Sequence, residues 1–81
     1  MAMTVKIYST PTCPWCSKAK RYLKNNGIPF RDVDVSKDPQ EAEAMVRKSG
    51  QMGVPVIEIG SEIIVGFDRQ RIDRALGLNK I

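Results

Sequence analysis

Both cysteines of the chain stand two residues apart, in Thr12-Cys13-Pro14-Trp15-Cys16. They follow the apolar run Val5-Lys6-Ile7-Tyr8 and precede a helix-like run from Ser17 to Asn25. Proline suits the first position of a helix, where its missing N–H would have had no partner. Pro14 at N1 therefore makes Cys13 the N-cap and Cys16 the N3 residue. Residues three apart on a helix lie one above the other with Cβ atoms roughly 5 to 6 Å apart, close enough that a small adjustment closes a disulfide. Unpaired amides and the positive end of the helix dipole favour a thiolate at Cys13. Burial one turn deeper, under Trp15, favours the neutral thiol at Cys16. That division suits thiol–disulfide exchange, in which an exposed thiolate attacks a disulfide and a neighbouring thiol resolves the mixed disulfide.

Other uses of the pair fit less well. A structural disulfide across so short a span closes almost no loop and constrains the unfolded chain little. A closed zinc site wants four Cys or His ligands, and this chain has two cysteines and no histidine. The alternative that stays open is a metal or iron–sulfur cluster carrier that uses the pair from two copies of the chain in a dimer.

At 81 residues the expectation is one domain, 1–81, with one modest core, since chains of this size bury about 60% of their unfolded surface. A hydrophobic fraction of 42% and a charged fraction of 27% place it among soluble globular domains rather than disordered chains. No apolar run approaches ~18 residues and no charged-then-apolar leader is present, so neither membrane span nor signal peptide is expected. The expected compartment is the cytoplasm, where a lone CxxC beside a β–α pattern reads as catalytic. The expected state is a monomer with no permanently bound cofactor.

The net charge of +4 is unevenly spread: residues 1–31 carry six bases and no acid, whereas residues 32–81 carry seven bases against nine acids. The basic part holds the cysteines. A positive field there favours a thiolate and attracts acidic partners, although Lys18, Lys20, Arg21 and Lys24 also read as the solvated outer face of a helix. The bases are not interleaved with aromatics in any nucleic-acid module pattern, so no nucleic-acid partner is expected.

The elements that must position the pair follow in order. Met1–Met3 are expected to fray. Val5, Ile7 and Tyr8 predict a short buried strand running into Ser9-Thr10-Pro11. In the first helix Cys16, Ala19, Tyr22 and Leu23 recur at helical spacing and face the core, with the lysines outward. Gly27 suits its left-handed end. Phe30 to Val35 predicts a second strand with Val33 and Val35 inward. Asp38 as N-cap, Pro39 at N1 and Glu41 at N3 start a second helix that runs to about Lys48, with Ala42, Met45 and Val46 as its core stripe. Val56–Ile59 and Ile63–Val65, joined by Gly60-Ser61-Glu62, predict an antiparallel hairpin. Asp68 caps a third helix to about Leu76, and Phe67 and Ile72 fit a hydrophobic staple. The order β-α-β-α-β-β-α predicts an α/β fold in which three helices cover both faces of a four-stranded mixed sheet.

That order, with Cys13-Pro14-Trp15-Cys16, Gly53-Val54-Pro55 and Gly66-Phe67-Asp68, resembles the glutaredoxin branch of the thioredoxin superfamily over residues 4–77. The likeness extends to the small glutaredoxin-like redoxins that include electron donors of ribonucleotide reductase. The resemblance implies a thioredoxin-like fold and a thiol–disulfide oxidoreductase acting in electron transport and cell redox homeostasis. It makes Cys13 the nucleophile and Cys16 the resolving thiol, with disulfide-containing proteins as partners. It also implies a cis bond before Pro55, which without the resemblance reads as a simple strand-start proline. A cis bond there turns Val54 N–H and C=O toward a substrate strand lying across Cys13. Thr12, Pro14, Trp15, Val54, Pro55, Gly66, Phe67 and Asp68 are then the candidate substrate- or glutathione-binding residues. Asp68 reads equally as a plain helix cap.

Departures from the family pattern bear on the electron source. Where glutathione-using members usually carry a lysine ahead of the CxxC, a Thr-Val-Pro and a second acidic or polar residue after the Asp, this chain has Ser9-Thr10-Pro11, Gly53 and Arg69. Gly66-Phe67 in place of a Gly-Gly pair resembles redoxins reduced by a thioredoxin reductase. Trp15, where tyrosine is commoner, supplies an apolar contact for a protein. Glutathione as co-substrate and a thioredoxin reductase as electron source both remain open.

Overall fold

The computed structural model describes residues 4–77, so the expectation for Met1–Met3 falls outside the described residues. The element order is β1 (Val5–Ser9), α1 (Pro14–Asn25), β2 (Arg31–Asp34), α2 (Pro39–Ser49), β3 (Val56–Ile59), β4 (Glu62–Val65) and α3 (Arg69–Leu76). The strands form one sheet in the order β2-β1-β3-β4. β1 pairs parallel with β2 and antiparallel with β3, and β3 pairs antiparallel with β4. This is the predicted mixed sheet of a thioredoxin-like fold.

Strand alternation distributes the apolar residues to two faces. On one, Val5, Ile7, Ile57, Ile59 and Ile64 pack with Ala19 and Leu23 of α1 and Ile72 of α3. On the other, Tyr8, Val33 and Val56 pack with Met45 of α2. Neighbouring residues Ile7 and Tyr8 are both fully buried, because a central strand covered on both sides has no solvent face. Phe67 packs against the α1/α3 cluster, which contains its expected staple partner Ile72, and meets the Tyr22 ring edge-on at 5.7 Å.

Local signals set the ends of the helices. Pro39 lies at the head of α2, and the Asp38 carboxylate accepts from the Glu41 N–H at 3.2 Å. The Asp68 carboxylate accepts from the Arg71 N–H at 3.2 Å at the head of α3.

Three details differ from the sequence expectation. Glu62 belongs to β4 and pairs with Ile59, so the turn is the two residues Gly60-Ser61, with Gly60 at φ +59°, which a tight hairpin favours. β2 is shorter than Phe30–Val35, and Phe30 instead packs beside the α1/α3 cluster. Lys20 is not simply outward: its ammonium donates to Asp32 of β2 at 2.8 Å, clipping α1 to the sheet edge. No helix among the described residues is long and apolar enough to cross a membrane.

Two substitutions test this packing by urea denaturation. Ile72→Ala, which empties a fully buried site under α3, is expected to cost about 2–5 kcal/mol. Asp38→Ala, which strips the α2 cap, is expected to cost about 1 kcal/mol, with an unchanged denaturant slope in both cases.

Candidate active site

β1 ends at Ser9, and residues 10–12 carry the chain into α1 with Cys13 as its N-cap, at φ −92° and ψ 115°. The Cys13 N–H donates to the Thr10 carbonyl at 3.4 Å, and the Cys13 carbonyl accepts from the Ser17 N–H at 3.2 Å. These bonds hold the backbone on both sides of the sulfur. Both thiols are free. Cys16 is fully buried, Cys13 is partly exposed, and Trp15 between them is 55% exposed.

The two sulfurs are driven in opposite directions. At Cys13 partial burial opposes ionisation, but the Cys16 thiol and the N–H groups of Cys16 and Trp15 face the sulfur and outweigh it, so its pKa lies below the ordinary thiol value. The neutral thiol makes no capping hydrogen bond, so these donors chiefly favour the anion. At Cys16 burial dominates and pushes the thiol up to about 11, against a smaller opposite pull from the Thr10 N–H and the Lys20 charge. Cys13 Sγ also lies 3.9 Å from the Val54 carbonyl oxygen, 41 residues on in the chain.

The Val54–Pro55 bond is cis, as the resemblance implied. The Pro55 carbonyl accepts from the Gly66 N–H at 2.8 Å, tying this loop to the β4–α3 junction. Gly66 has φ +80°, a left-handed conformation in which a side chain would be strained. Trp15, Val54, Pro55, Gly66 and Phe67 together line an open groove of about 280 Å³. Half of the ten candidate residues therefore share this groove, and the Cys13 sulfur stands by the Val54 carbonyl in its wall. Pro14 and Thr12 are exposed beside the cysteines without lining the groove. Asp68 also lies outside the lining, and its carboxylate is engaged in capping α3.

Two features near the site escaped the sequence reading. Ser9, 2% exposed, donates its hydroxyl to Asp32 at 2.7 Å, and Asp32 receives Lys20. These bonds hold the Lys20 ammonium where its charge acts on the Cys16 thiol. The spacing Cys16 to Lys20 is the signal that could have revealed it, since residues four apart share a helix face. Met52, 81% exposed, stands two residues before Val54, and nothing in its surroundings on the sequence marks it.

Comparison with known proteins agrees with this geometry. Residues 5–64 match the family model described as Glutaredoxin. A glutaredoxin-like 8.6 kDa protein encoded in the rubredoxin operon of Clostridium pasteurianum is 56% identical over 72 residues, 89% of this chain and 96% of that protein. Glutaredoxin 3 of Escherichia coli strain K12 is 36% identical over 64 residues, covering 79% of this chain and 77% of its own. Among solved structures, the glutaredoxin-like NrdH-redoxin of Escherichia coli superposes with a TM-score of 0.82 at 32% identity, over 98% of this chain and 99% of that one. A dithiol at the head of α1, a groove walled by the Val54–Pro55 loop, and a family match running from β1 into β4 all lead to one assignment: this chain belongs to the glutaredoxin family.

Proposed function

We propose that this glutaredoxin-family thiol oxidoreductase reduces protein disulfides and glutathione mixed disulfides through a reversible Cys13–Cys16 couple. In this reading it acts as a single-domain, cytoplasmic monomer with no resident cofactor, donating electrons to reductive enzymes. The observation that carries the proposal is the placement of two free thiols across one helical turn, Cys13 partly exposed at the helix head beside the Val54 carbonyl and Cys16 fully buried, and the opposite pKa directions of the two follow from it. It supplies an attacking thiolate beside a resolving thiol that stays protonated until it is called on.

The steps balance as follows. The Cys13 thiolate attacks one sulfur of a substrate disulfide. A Cys13–substrate disulfide forms as the substrate S–S bond breaks, and the leaving thiolate takes a proton from water. Cys16 then gives up its proton and attacks the Cys13 sulfur. The Cys13–Cys16 disulfide forms, the second substrate thiolate leaves, and two electrons have passed from the dithiol to the substrate. During attack the Val54 carbonyl and N–H pair with the substrate backbone, and Trp15 and Phe67 cover its side chains. Lys20 stabilises the Cys16 thiolate as it forms.

Two glutathione thiols or the dithiol of a thioredoxin reductase return the two electrons. The likeness to Glutaredoxin 3 supports the first. Phe67 in the groove wall, and the likeness to a redoxin described as having a thioredoxin-like activity profile, support the second. NADPH oxidation coupled through glutathione and its reductase, compared with NADPH and thioredoxin reductase, separates them.

Two experiments test the roles. Cys13→Ser is expected to abolish exchange with insulin and with glutathione mixed disulfides. Cys16→Ser is expected to stall on protein disulfides as a mixed disulfide while still removing glutathione; turnover retained by Cys13→Ser would sink the assignment. Iodoacetamide alkylation followed against pH reads the thiolates directly. Cys13 is expected to inflect below the ~8.5 of an unperturbed cysteine and Cys16 to react only as pH nears about 11. Because the Cys16 thiol donates to the Cys13 sulfur, Cys16→Ala is expected to move the Cys13 inflection upward.

A further inference from the structure

Beside the cysteine groove, α1 and α3 enclose a second open groove of about 250 Å³ lined by Lys18, Arg21, Tyr22, Asn25, Phe67 and Arg69. Phe67 lines both grooves, so the two lie side by side. Three of the six lining residues are cations and none is an acid. Among the described residues, no carboxylate lies within ion-pair distance of Lys18, Arg21 or Arg69. Lys20, by contrast, is paired with Asp32. Asp68 accepts from the Arg71 N–H and Asp73 from the Tyr22 hydroxyl, and neither forms an ion pair with Arg69.

Two of the free cations are held in place without being neutralised. The Arg69 guanidinium lies over the Tyr22 ring at 5.1 Å, and the Lys18 ammonium lies over the Trp15 ring at 4.4 Å. Stacking of this kind restrains a long side chain while leaving N–H donors for another partner. An arginine fork matches a carboxylate with two hydrogen bonds.

We propose that this groove receives an acidic segment of the polypeptide whose disulfide Cys13 attacks. The inference rests on the exchange reaction proposed above and adds the chemistry by which a protein substrate is chosen. Cys13 and Arg21 are eight residues apart across α1, about 12 Å along its axis at 1.5 Å per residue. An extended substrate covers about 3.3 Å per residue, so a carboxylate about four positions from the attacked half-cystine reaches Arg21 and Arg69. The cations sit at the rim and not in the groove walls around Cys13. They therefore act on encounter and selection, and their effect fades with salt.

The test uses two synthetic peptides that share one disulfide, with Asp and Glu, or Asn and Gln, about four positions from the half-cystine. At low ionic strength the acidic peptide is expected to be reduced with a kcat/KM about tenfold higher, a preference that disappears in 0.5 M salt, on the order of a 4 Å screening length. The double variant Arg21→Glu, Arg69→Glu is expected to lose or invert the preference. The neutral peptide's turnover and the pH profile of Cys13 alkylation should stay unchanged. Arg21→Glu alone, at an exposed position free of the Tyr22 stack, shows the same direction if the double variant unfolds by circular dichroism. Equal rates for the two wild-type reactions, or a preference surviving charge reversal, overturn the docking inference while the exchange reading stands. A changed alkylation profile also overturns it, since the cations would then act through the thiolate. Inhibition by a single-stranded oligonucleotide as strong as that by the acidic peptide's reduced form would mark a generic polyanion surface and overturn it too. Failure of the wild type on both peptides removes the exchange reading itself.

Discussion

Ala19 and Leu23, both fully buried, press α1 into the cluster formed by Ile7, Ile57 and Ile64, and the depth of that seating determines how much water each cysteine meets. Cys16 lies on the same stripe, three residues before Ala19, and is carried under with it. Cys13 is one step beyond the first helical residue, where the stripe has rotated away from the sheet and the helix end opens. A single packing interaction thus decides both protonation states. Shallower seating would hydrate Cys16 and bring its pKa toward that of Cys13. Deeper seating would bury Cys13 and withdraw the advantage of its amide donors.

The partner side of the site is built by a different part of the chain, and its registration comes from backbone bonds. β3 is a central strand, paired with β1 on one side and β4 on the other. The Val54–Pro55 bend enters this strand directly, so its position is inherited from the most constrained part of the sheet. The Gly66 N–H to Pro55 carbonyl bond ties the far wall of the groove to the same point. Cys13 meets this bend from the other end of the chain, and no segment between them has to move for the Val54 carbonyl to face the sulfur. Such pre-placement lowers the ordering cost that a substrate strand meets on binding.

How much of this was legible in the sequence depended on the range of the interaction. Short-range signals worked: Pro14, Pro39, Asp38 and Asp68 fixed helix starts to the residue because a cap acts within one turn. Alternation in β1 and β3 was equally clear. The placement of Cys13 at the head of α1 and of Cys16 one buried turn deeper followed from position on one helix. Interactions across the sheet were not readable. Lys20 looked like any solvated lysine, because its partner Asp32 is twelve residues away and meets it only once β2 lies parallel to β1. Glu62 looked like a turn residue because polar character at a hairpin end does not show which residue resumes pairing. The cis bond came from family resemblance, since a Val-Pro pair carries no local mark of its isomer. Val54, Pro55, Gly66 and Phe67 form one groove only through the β3–β4 pairing, whereas Thr12 and Asp68, close in sequence to the site, fall outside its lining.

The site therefore separates reactivity from choice. Reactivity belongs to the first turn of α1 and needs only a few amides and a buried neighbour, which explains why so small a chain can carry it. Choice requires surface, and a chain of 81 residues has little to spare. Here α1 serves both purposes: its buried stripe holds Cys16, Ala19 and Leu23, while the opposite side presents Lys18 and Arg21 beside the same groove. Because α1 carries no acid, nothing on its outer face competes for those cations in the way Asp32 competes for Lys20. A helix that only needed solubility would mix the two signs of charge, since i,i+4 pairs of opposite charge add stability. The single sign on this helix forgoes that stabilisation. Its gain lies beside the cysteine end, where positive potential draws in acidic chains, while the Cys13 anion is supported by its own amide and thiol donors. The two effects use different groups and decay differently: the local amide donors at Cys13 are insensitive to salt, and the long-range field of the lysines and arginines is not.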